Sequence, residues 1–313
     1  MTRRDTPRLI ALDWGTSTLR AWLLDGRGRV LDSARAPMGI MQVERREFAD
    51  ALDAVTAGWP QRLQAIASGM IGSTRGWVEA PYLSCPVSLG DLASALVPVP
   101  GGRLWIVPGV IRTSDVPDVM RGEETQIAGA IALRSDLGHG ARFVLPGTHC
   151  KWVDVSDGRI ETFATYMTGE VFAVLRDHSI LGGPAREATP DASATGGSAA
   201  FLRGVDAARR ADGIAPLLFS VRALEVTGGL TSGESLEYLS GLLIGDEIRS
   251  ALAEPAGMPP ILIGEPALCA RYRRALSRFG IDGAGEVEGT APAGLFRIAT
   301  AAGLIEAATE AEP

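Results

Sequence analysis

The sequence predicts an α/β protein with two duplicated mixed-sheet domains around a cleft. Two observations carry this prediction. The chain of 313 residues is long enough for two ordinary domains, and a strand–turn–strand phrase occurs in it twice. We expect an N-terminal domain over residues 1–120, joined by a C-terminal helix at about residues 295–310. The second domain is expected over residues 121–294.

The first copy of the phrase opens the chain. The apolar residues 9–12 predict a strand, which leads into a turn at residues 13–16. Residues 19–24 predict a second strand that ends at the Asp25-Gly26 turn, and Val30 and Leu31 predict a third. This opening is a β-meander, unlike the single strand and helix that begin a Rossmann unit.

The second copy begins with a predicted strand at residues 143–145, a Gly-Thr turn and a strand at residues 151–155. Its identities with the first copy all fall at one constant spacing without a gap. The matched pairs are Gly15 and Gly147, Thr16 and Thr148, Asp25 and Asp157, Gly26 and Gly158, and Arg27 and Arg159. This agreement favours duplication over chance.

The two Gly-Thr turns are candidate phosphate-binding loops, because Gly and hydroxyl residues in a turn can direct backbone N–H groups at phosphate oxygens. Only the first copy has an acid before its turn: Leu145 stands where Asp13 would be expected. One carboxylate beside phosphates is a usual provision for Mg²⁺. Two ordinary hairpin turns are the alternative. The residues predicted to bind phosphate are Gly15, Thr16, Ser17, Thr18, Gly147, Thr148, His149 and Lys151.

A second candidate feature is the phrase Arg-Gly-Glu-Glu-Thr-Gln at residues 121–126. Gly122 is expected to end one segment, and Glu123 and Glu124 to begin a helix, whose N-terminus favours an ionised carboxylate. Such a carboxylate in a cleft can accept the proton of an attacking hydroxyl. Ordinary charge pairing at a helix start is the alternative.

A Gly/Ser-rich loop with a cation and an aromatic residue follows residue 67. Its composition is suited to binding a polar acid, although any turn-rich segment can look similar. The predicted substrate-binding residues are Ser68, Gly69, Met70, Arg75 and Trp77.

Composition and missing motifs exclude several classes of function. The net charge of −7 argues against a nucleic-acid partner. Residues 9–12 are too short for a signal-peptide core, and no apolar run approaches a membrane span, so we expect a cytoplasmic protein. No Walker A motif, dinucleotide-binding glycine motif or protein-kinase signature occurs in the sequence. A loop without regular structure is expected at residues 184–198, and homodimer formation is left open.

The motifs resemble those of a known group of kinases. Ala-Leu-Asp-Trp-Gly-Thr-Ser-Thr at residues 11–18 resembles the first phosphate motif of the actin/hexokinase/Hsp70 superfamily, and residues 145–152 resemble the second. Residues 261–264 are similar to its adenosine motif, although Gly264 is not paired with another glycine. The longer phrases at residues 68–77, 119–126 and 239–245 resemble the family of 2-dehydro-3-deoxygalactonokinases.

The resemblance implies an actin/hexokinase-like (ribonuclease H-like) fold and transfer of the ATP γ-phosphoryl group to the 6-hydroxyl of 2-dehydro-3-deoxy-D-galactonate. It implies Glu123 as catalytic base, with Glu124 as second choice, and Mg²⁺ near Asp13. Gly264 is implied in nucleotide binding, and Gly228 and Gly229 are expected to supply part of the same contact. A kinase for another sugar or sugar acid is one alternative, and a non-catalytic nucleotide-gated binding protein is another.

Overall fold

The computed structural model describes residues 6–44, 47–182, 199–253 and 259–306. The loop expected at residues 184–198 lies outside this part of the chain. The described residues divide into two compact units. The first takes its residues from Met1–Ala141, Asp154–Phe163 and Val287–Pro313, and the second from Arg142–Val153 and Ala164–Glu286.

The described residues form both strands and α-helices. The strands are β1 Pro7–Trp14, β2 Leu19–Asp25, β3 Val30–Ala36, β4 Gln64–Ser68, β5 Tyr82–Ser84, β6 Val87–Ser88, β7 Val97–Pro98, β8 Leu104–Ile106, β9 Gly109–Arg112, β10 Asp118–Met120, β11 Gly140–Leu145, β12 Cys150–Ser156, β13 Arg159–Tyr166, β14 Ile261–Leu262 and β15 Gly285–Glu286. The helices are α1 Phe48–Val55, α2 Leu89–Ser94, α3 Glu123–Leu133, α4 Thr168–His178, α5 Ala199–Arg210, α6 Ala215–Val226, α7 Ser232–Ala251, α8 Pro266–Arg278 and α9 Thr290–Ala301.

The main sheet of the first unit has the order β3-β2-β1-β4-β8-β7. The antiparallel β1–β2–β3 meander forms one side, and β4 pairs with β1 in parallel. Alternate apolar residues of β1 and β2, such as Ile10, Leu12, Leu19 and Leu23, are buried in one core with Phe48 of α1. The three strands predicted for this region are therefore confirmed.

A second six-stranded sheet has the order β6-β13-β12-β11-β14-β15, and its last five strands repeat this arrangement. Here β14 is parallel to β11, as β4 is to β1. The strands β11 to β13 contribute residues to both units. The core of the second unit contains Val144, Leu262 and Tyr272 together with apolar residues of α5 and α7. The matching strand order confirms the duplicated mixed-sheet fold.

Helices α7 and α8 each begin at a residue whose side chain caps the helix. Thr231 and Glu234 form a capping box at the start of α7. Pro266 occupies the first turn of α8, where the Glu265 carboxylate accepts a hydrogen bond from the Leu268 N–H at 3.0 Å. No helix among the described residues is long and apolar enough to cross a membrane.

Helix α3 packs on α9 with very close backbone contact. A Cβ added at Gly129 would lie 1.8 Å from the Thr290 carbonyl oxygen, and one added at Gly294 would lie 1.9 Å from that of Thr125. These glycines join the C-terminal helix to the first unit. They also hold α3 there, whereas the boundary expected at residue 120 would assign this helix to the second domain.

Candidate active site

Three of the predicted motifs meet within the first unit, at the carboxyl ends of β1 and β4. Asp13 is the register partner of Ser68 in the parallel pair. A Cβ at Gly69, whose φ is +93°, would lie 2.9 Å from the Trp14 carbonyl oxygen and 3.3 Å from Asp13 Oδ1. A Cβ at Gly122 would lie 3.2 Å from the Gly69 Cα. The Gly/Ser loop therefore adjoins the acid of the first turn, and the start of α3 adjoins that loop.

The first Gly-Thr turn is held by main-chain hydrogen bonds that leave two N–H groups available. The Gly15 N–H donates to the Thr18 carbonyl oxygen at 2.9 Å, while the carbonyl oxygens of Gly15 and Thr16 accept from Ile40 and Met41. Within the described residues, the N–H groups of Thr16 and Ser17 donate to no main-chain acceptor, and both residues are exposed. They can therefore bind an anion.

Asp13 lies beside this turn and forms an ion pair with Arg20. Its side chain is 15% exposed and that of Arg20 is 47% exposed. The part of the chain that the structure describes holds no cluster of three or more His, Cys, Asp or Glu residues for a metal ion. Mg²⁺ is usually bound by one or two carboxylates together with phosphates and water, so the single carboxylate of Asp13 fits this pattern. Arg20 competes with the ion for that carboxylate.

Glu123 and Glu124 differ sharply in their surroundings. The Glu123 carboxylate accepts a hydrogen bond from the Arg121 N–H at 3.1 Å, and its residue is only partly buried. Glu124 is fully buried and accepts from the Gly122 N–H at 2.6 Å and from Thr125 Oγ1 at 2.9 Å. Burial, and secondarily the Glu123 charge, raises the pKa of Glu124 to about 7.

Glu124 also contributes to a mainly apolar cavity of about 290 Å³ within the first unit. The cavity is lined by residues of α2, α3 and α9, among them Leu92, Ile127 and Arg297. The Glu124 side chain therefore lies among the packed helices α2, α3 and α9. Glu123 is the acid of the pair with access to solvent.

The Gly/Ser loop contains both buried and exposed members of the predicted substrate set. Ser68 is buried, and Met70 and Trp77 pack against the core of the first unit. The Trp77 ring is stacked on Phe48, with ring centroids 6.1 Å apart. Arg75 is exposed. Trp77 therefore has a packing role, and Arg75 is the cation of this loop that can reach a ligand.

Arg121 is a residue that the sequence prediction did not assign. It is 9% exposed, its Nη2 donates to the Ala80 carbonyl oxygen at 2.8 Å, and its guanidinium lies over the Tyr82 ring at 4.3 Å. It thereby fixes the segment before α3 against residues 80–82. The sequence feature that could have identified Arg121 is its position immediately before Gly122 and Glu123.

In the second unit, the Gly147-Thr148 turn lies between the predicted adenosine motif and α4. A Cβ at Gly264 would lie 3.4 Å from the Pro146 carbonyl oxygen. On the other side, a Cβ at Gly169 would lie 2.4 Å from the Gly147 carbonyl oxygen, and the Glu170 N–H donates to the Thr148 carbonyl oxygen at 3.0 Å. The second phosphate motif and the adenosine motif are thus neighbours.

The remaining predicted nucleotide residues have mixed surroundings. His149 is exposed and paired with Glu170, whereas Lys151 is buried and its ammonium donates to the His149 carbonyl oxygen at 3.3 Å. Gly228, with φ +75°, and Gly229 end α6 through main-chain hydrogen bonds to Glu225 and Leu224. A contact of Lys151, Gly228 or Gly229 with ATP stays a prediction.

The fold and these motifs define a class of protein. A duplicated α/β architecture with a Gly-Thr turn in each unit and an acid at the end of the first strand is that of the actin/hexokinase-type kinases and ATPases. The 2-keto-3-deoxy-galactonokinase family model matches residues 13–298. The chain belongs to this family and is a sugar-acid kinase.

Known proteins agree with this assignment. The chain is 39% identical over 282 residues to the 2-dehydro-3-deoxygalactonokinase of Escherichia coli (strain K12), covering 88% of this chain and 92% of that protein. A crystal structure from Sinorhizobium meliloti, described as the same kind of kinase, has a TM-score of 0.86 and 36% identity, covering 94% of this chain and 98% of its own.

A more distant solved structure shares the fold alone. It is the activator of the 2-hydroxyisocaproyl-CoA dehydratase from Clostridium difficile with bound ADPNP. Its TM-score is 0.51 at 11% identity, and the match covers 97% of this chain and 98% of that one. The actin/hexokinase-like fold predicted from the sequence is confirmed.

Proposed function

We propose that this kinase transfers the γ-phosphoryl group of ATP to the 6-hydroxyl of 2-dehydro-3-deoxy-D-galactonate. The products are ADP and 2-dehydro-3-deoxy-6-phospho-D-galactonate, in galactonate breakdown. One observation supports this proposal above the others. In the first unit, Gly69 of the polar loop adjoins Asp13 on one side and Gly122 at the start of α3 on the other, so one loop links the acid of the phosphate turn to the proposed base.

Glu123 is the proposed catalytic base. Its carboxylate lies at the first position of α3, next to a glycine with φ +111°, and it remains partly open to solvent. There it can orient the acceptor hydroxyl and accept its proton as the bond to phosphorus forms. Glu124 is too deeply buried to contact an acceptor directly, so its proposed contribution is to position Glu123.

Asp13 is the proposed carboxylate for Mg²⁺. When bound, the ion would neutralise charge on the triphosphate. Binding requires Asp13 to exchange its Arg20 partner for the metal or a metal-bound water, and Arg20 is exposed enough to turn toward solvent or phosphate. The N–H groups of Thr16 and Ser17 are the proposed donors to phosphate oxygens beside it.

Arg75 is the proposed partner of the substrate carboxylate. It is exposed on the loop that follows β4, whose first residues adjoin Asp13. Arg62 precedes β4 and so lies toward the opposite end of the strand, which makes it a matched control. A charge-assisted hydrogen bond contributes about 1.5–3 kcal/mol, so Arg75→Ala should raise KM for the acid about 10- to 100-fold. Arg62→Ala should leave KM unchanged.

The proposal is tested by ADP release with Mg-ATP and a panel of acceptors at matched concentrations. The panel contains 2-dehydro-3-deoxy-D-galactonate, its C4 epimer 2-dehydro-3-deoxy-D-gluconate, glucose and glycerol. We expect the galactonate acid to react fastest, because a cation built for a carboxylate is left unpaired by a neutral sugar. Preference for a neutral sugar would overturn the proposal, and preference for the gluconate epimer would correct the substrate alone.

A further inference from the structure

A buried carboxylate of the second unit connects the elements around the Gly147-Thr148 turn. Glu247 lies on α7 and is 2% exposed. Its Oε1 accepts a hydrogen bond from Trp152 Nε1 at 2.8 Å, and its Oε2 accepts from the Tyr272 hydroxyl at 2.7 Å and from Thr168 Oγ1. One carboxylate thus binds donors from β12, α8 and α4.

The first connection to the turn passes through Tyr272 and Cys150. The Tyr272 hydroxyl donates to Glu247 and lies 3.0 Å from the Sγ of Cys150. The Cys150 thiol in turn donates to the Gly147 carbonyl oxygen at 3.3 Å. The same Sγ accepts a hydrogen bond from the Gly147 N–H at 3.4 Å. Burial raises the pKa of Cys150 to about 12 and that of Tyr272 well above its usual value, so both remain protonated donors.

The second connection passes through the start of α4. Thr168 is the first residue of that helix and donates to Glu247. Gly169 follows and packs directly on the turn, with no space for a side chain against the Gly147 carbonyl oxygen. The next residue, Glu170, donates its N–H to the Thr148 carbonyl oxygen. Movement of Thr168 would therefore be transmitted to both residues of the turn.

We propose that Glu247 is a positioning residue that holds the Gly147-Thr148 turn from two sides in the conformation that binds an ATP phosphate. The inference rests on the proposed function, because it takes this turn as a phosphate site. It also explains Cys150 and Trp152, two residues of the second motif that cannot reach a ligand because both are buried. Burial raises the pKa of Glu247, whereas its hydrogen bonds to Thr168, Trp152 and Tyr272 act in the opposite direction. Hydrogen bonds between buried groups gain strength from the low dielectric around them.

The test is equilibrium binding of an unreactive ATP analogue with Mg²⁺, measured calorimetrically on the full-length protein. Glu247→Gln keeps the side-chain shape but presents one oxygen to three donors. We expect its Kd to rise at least about tenfold, by analogy with the loss seen when residues that orient metal ligands are changed, with KM for the acceptor within about twofold of wild type. Glu237→Gln, on the same helix but paired with Arg271, should leave both values unchanged.

Two further variants keep the test decisive if Glu247→Gln does not fold. Tyr272→Phe removes the hydroxyl of the first connection, and Thr168→Val removes the hydroxyl of the second. Each should weaken analogue binding several-fold in a folded protein. Wild-type binding by both, or by folded Glu247→Gln, would overturn the inference. If the unmutated enzyme does not phosphorylate the sugar acid, the proposed substrate is overturned instead. The two failures are distinguishable because binding of the analogue requires no acceptor.

Discussion

The buried carboxyl of Glu124 makes a specific prediction about stability and pH. Its pKa is raised from an ordinary 4.5 to about 7, chiefly by burial. Between pH 4.5 and about pH 7, the Glu124 carboxyl is therefore protonated in the folded protein and ionised in the unfolded chain. The free energy of unfolding should fall as pH rises through this window. This loss of stability is complete above about pH 7. At about 1.4 kcal/mol for each pKa unit, the full loss is about 3 kcal/mol.

Glu124→Gln removes the titrating proton and nearly preserves the shape of the side chain. The variant should match wild type near pH 4.5 and exceed its stability by up to about 3 kcal/mol near pH 8. Urea denaturation at several pH values between these limits measures the difference. Parallel pH profiles of the two proteins would refute the reasoning. Glu123→Gln supplies a second check. Removing this neighbouring charge should lower the pKa of Glu124, so the fall in unfolding free energy should end at a lower pH than in wild type.

The remaining predictions concern chemistry and packing. Asp13→Asn should abolish turnover in a folded protein, because Mg²⁺ loses its proposed carboxylate; near-normal ADP release would contradict the metal assignment. Glu123→Gln should lower kcat about 100-fold or more with little change in ATP affinity, the scale of a lost general base; a larger loss in Glu124→Gln would show that the base is the other acid. Gly129→Ala should lower the melting temperature, although alanine favours a helix by about 1 kcal/mol, because the added Cβ would meet the Thr290 carbonyl oxygen at 1.8 Å. Gly233→Ala, a helical position with nothing within 4 Å of the added Cβ, is the control and should not lower it.

The sequence predicted the features that depend on local chemistry. The strands around both Gly-Thr turns and the start of α3 after Gly122 are specified by neighbouring residues, and all are found in the structure. The sequence also predicted the duplication, because the matched turn residues of the two copies lie at one constant spacing. This spacing is retained although the two copies pack against different residues. The quoted phrases were specific enough to indicate the family.

Tertiary structure decided which residues face the core, because burial depends on elements that are distant in sequence. Nothing local separates Glu123 from Glu124, yet the packing around α3 buries only Glu124 completely. The packing of the Trp77 ring on Phe48 could not be read from the sequence, and contact of Trp77 with substrate stays a prediction. The connections of Glu247 to Trp152, Thr168 and Tyr272 join four elements. They arise only when the folded sheet and helices bring those side chains within hydrogen-bond distance.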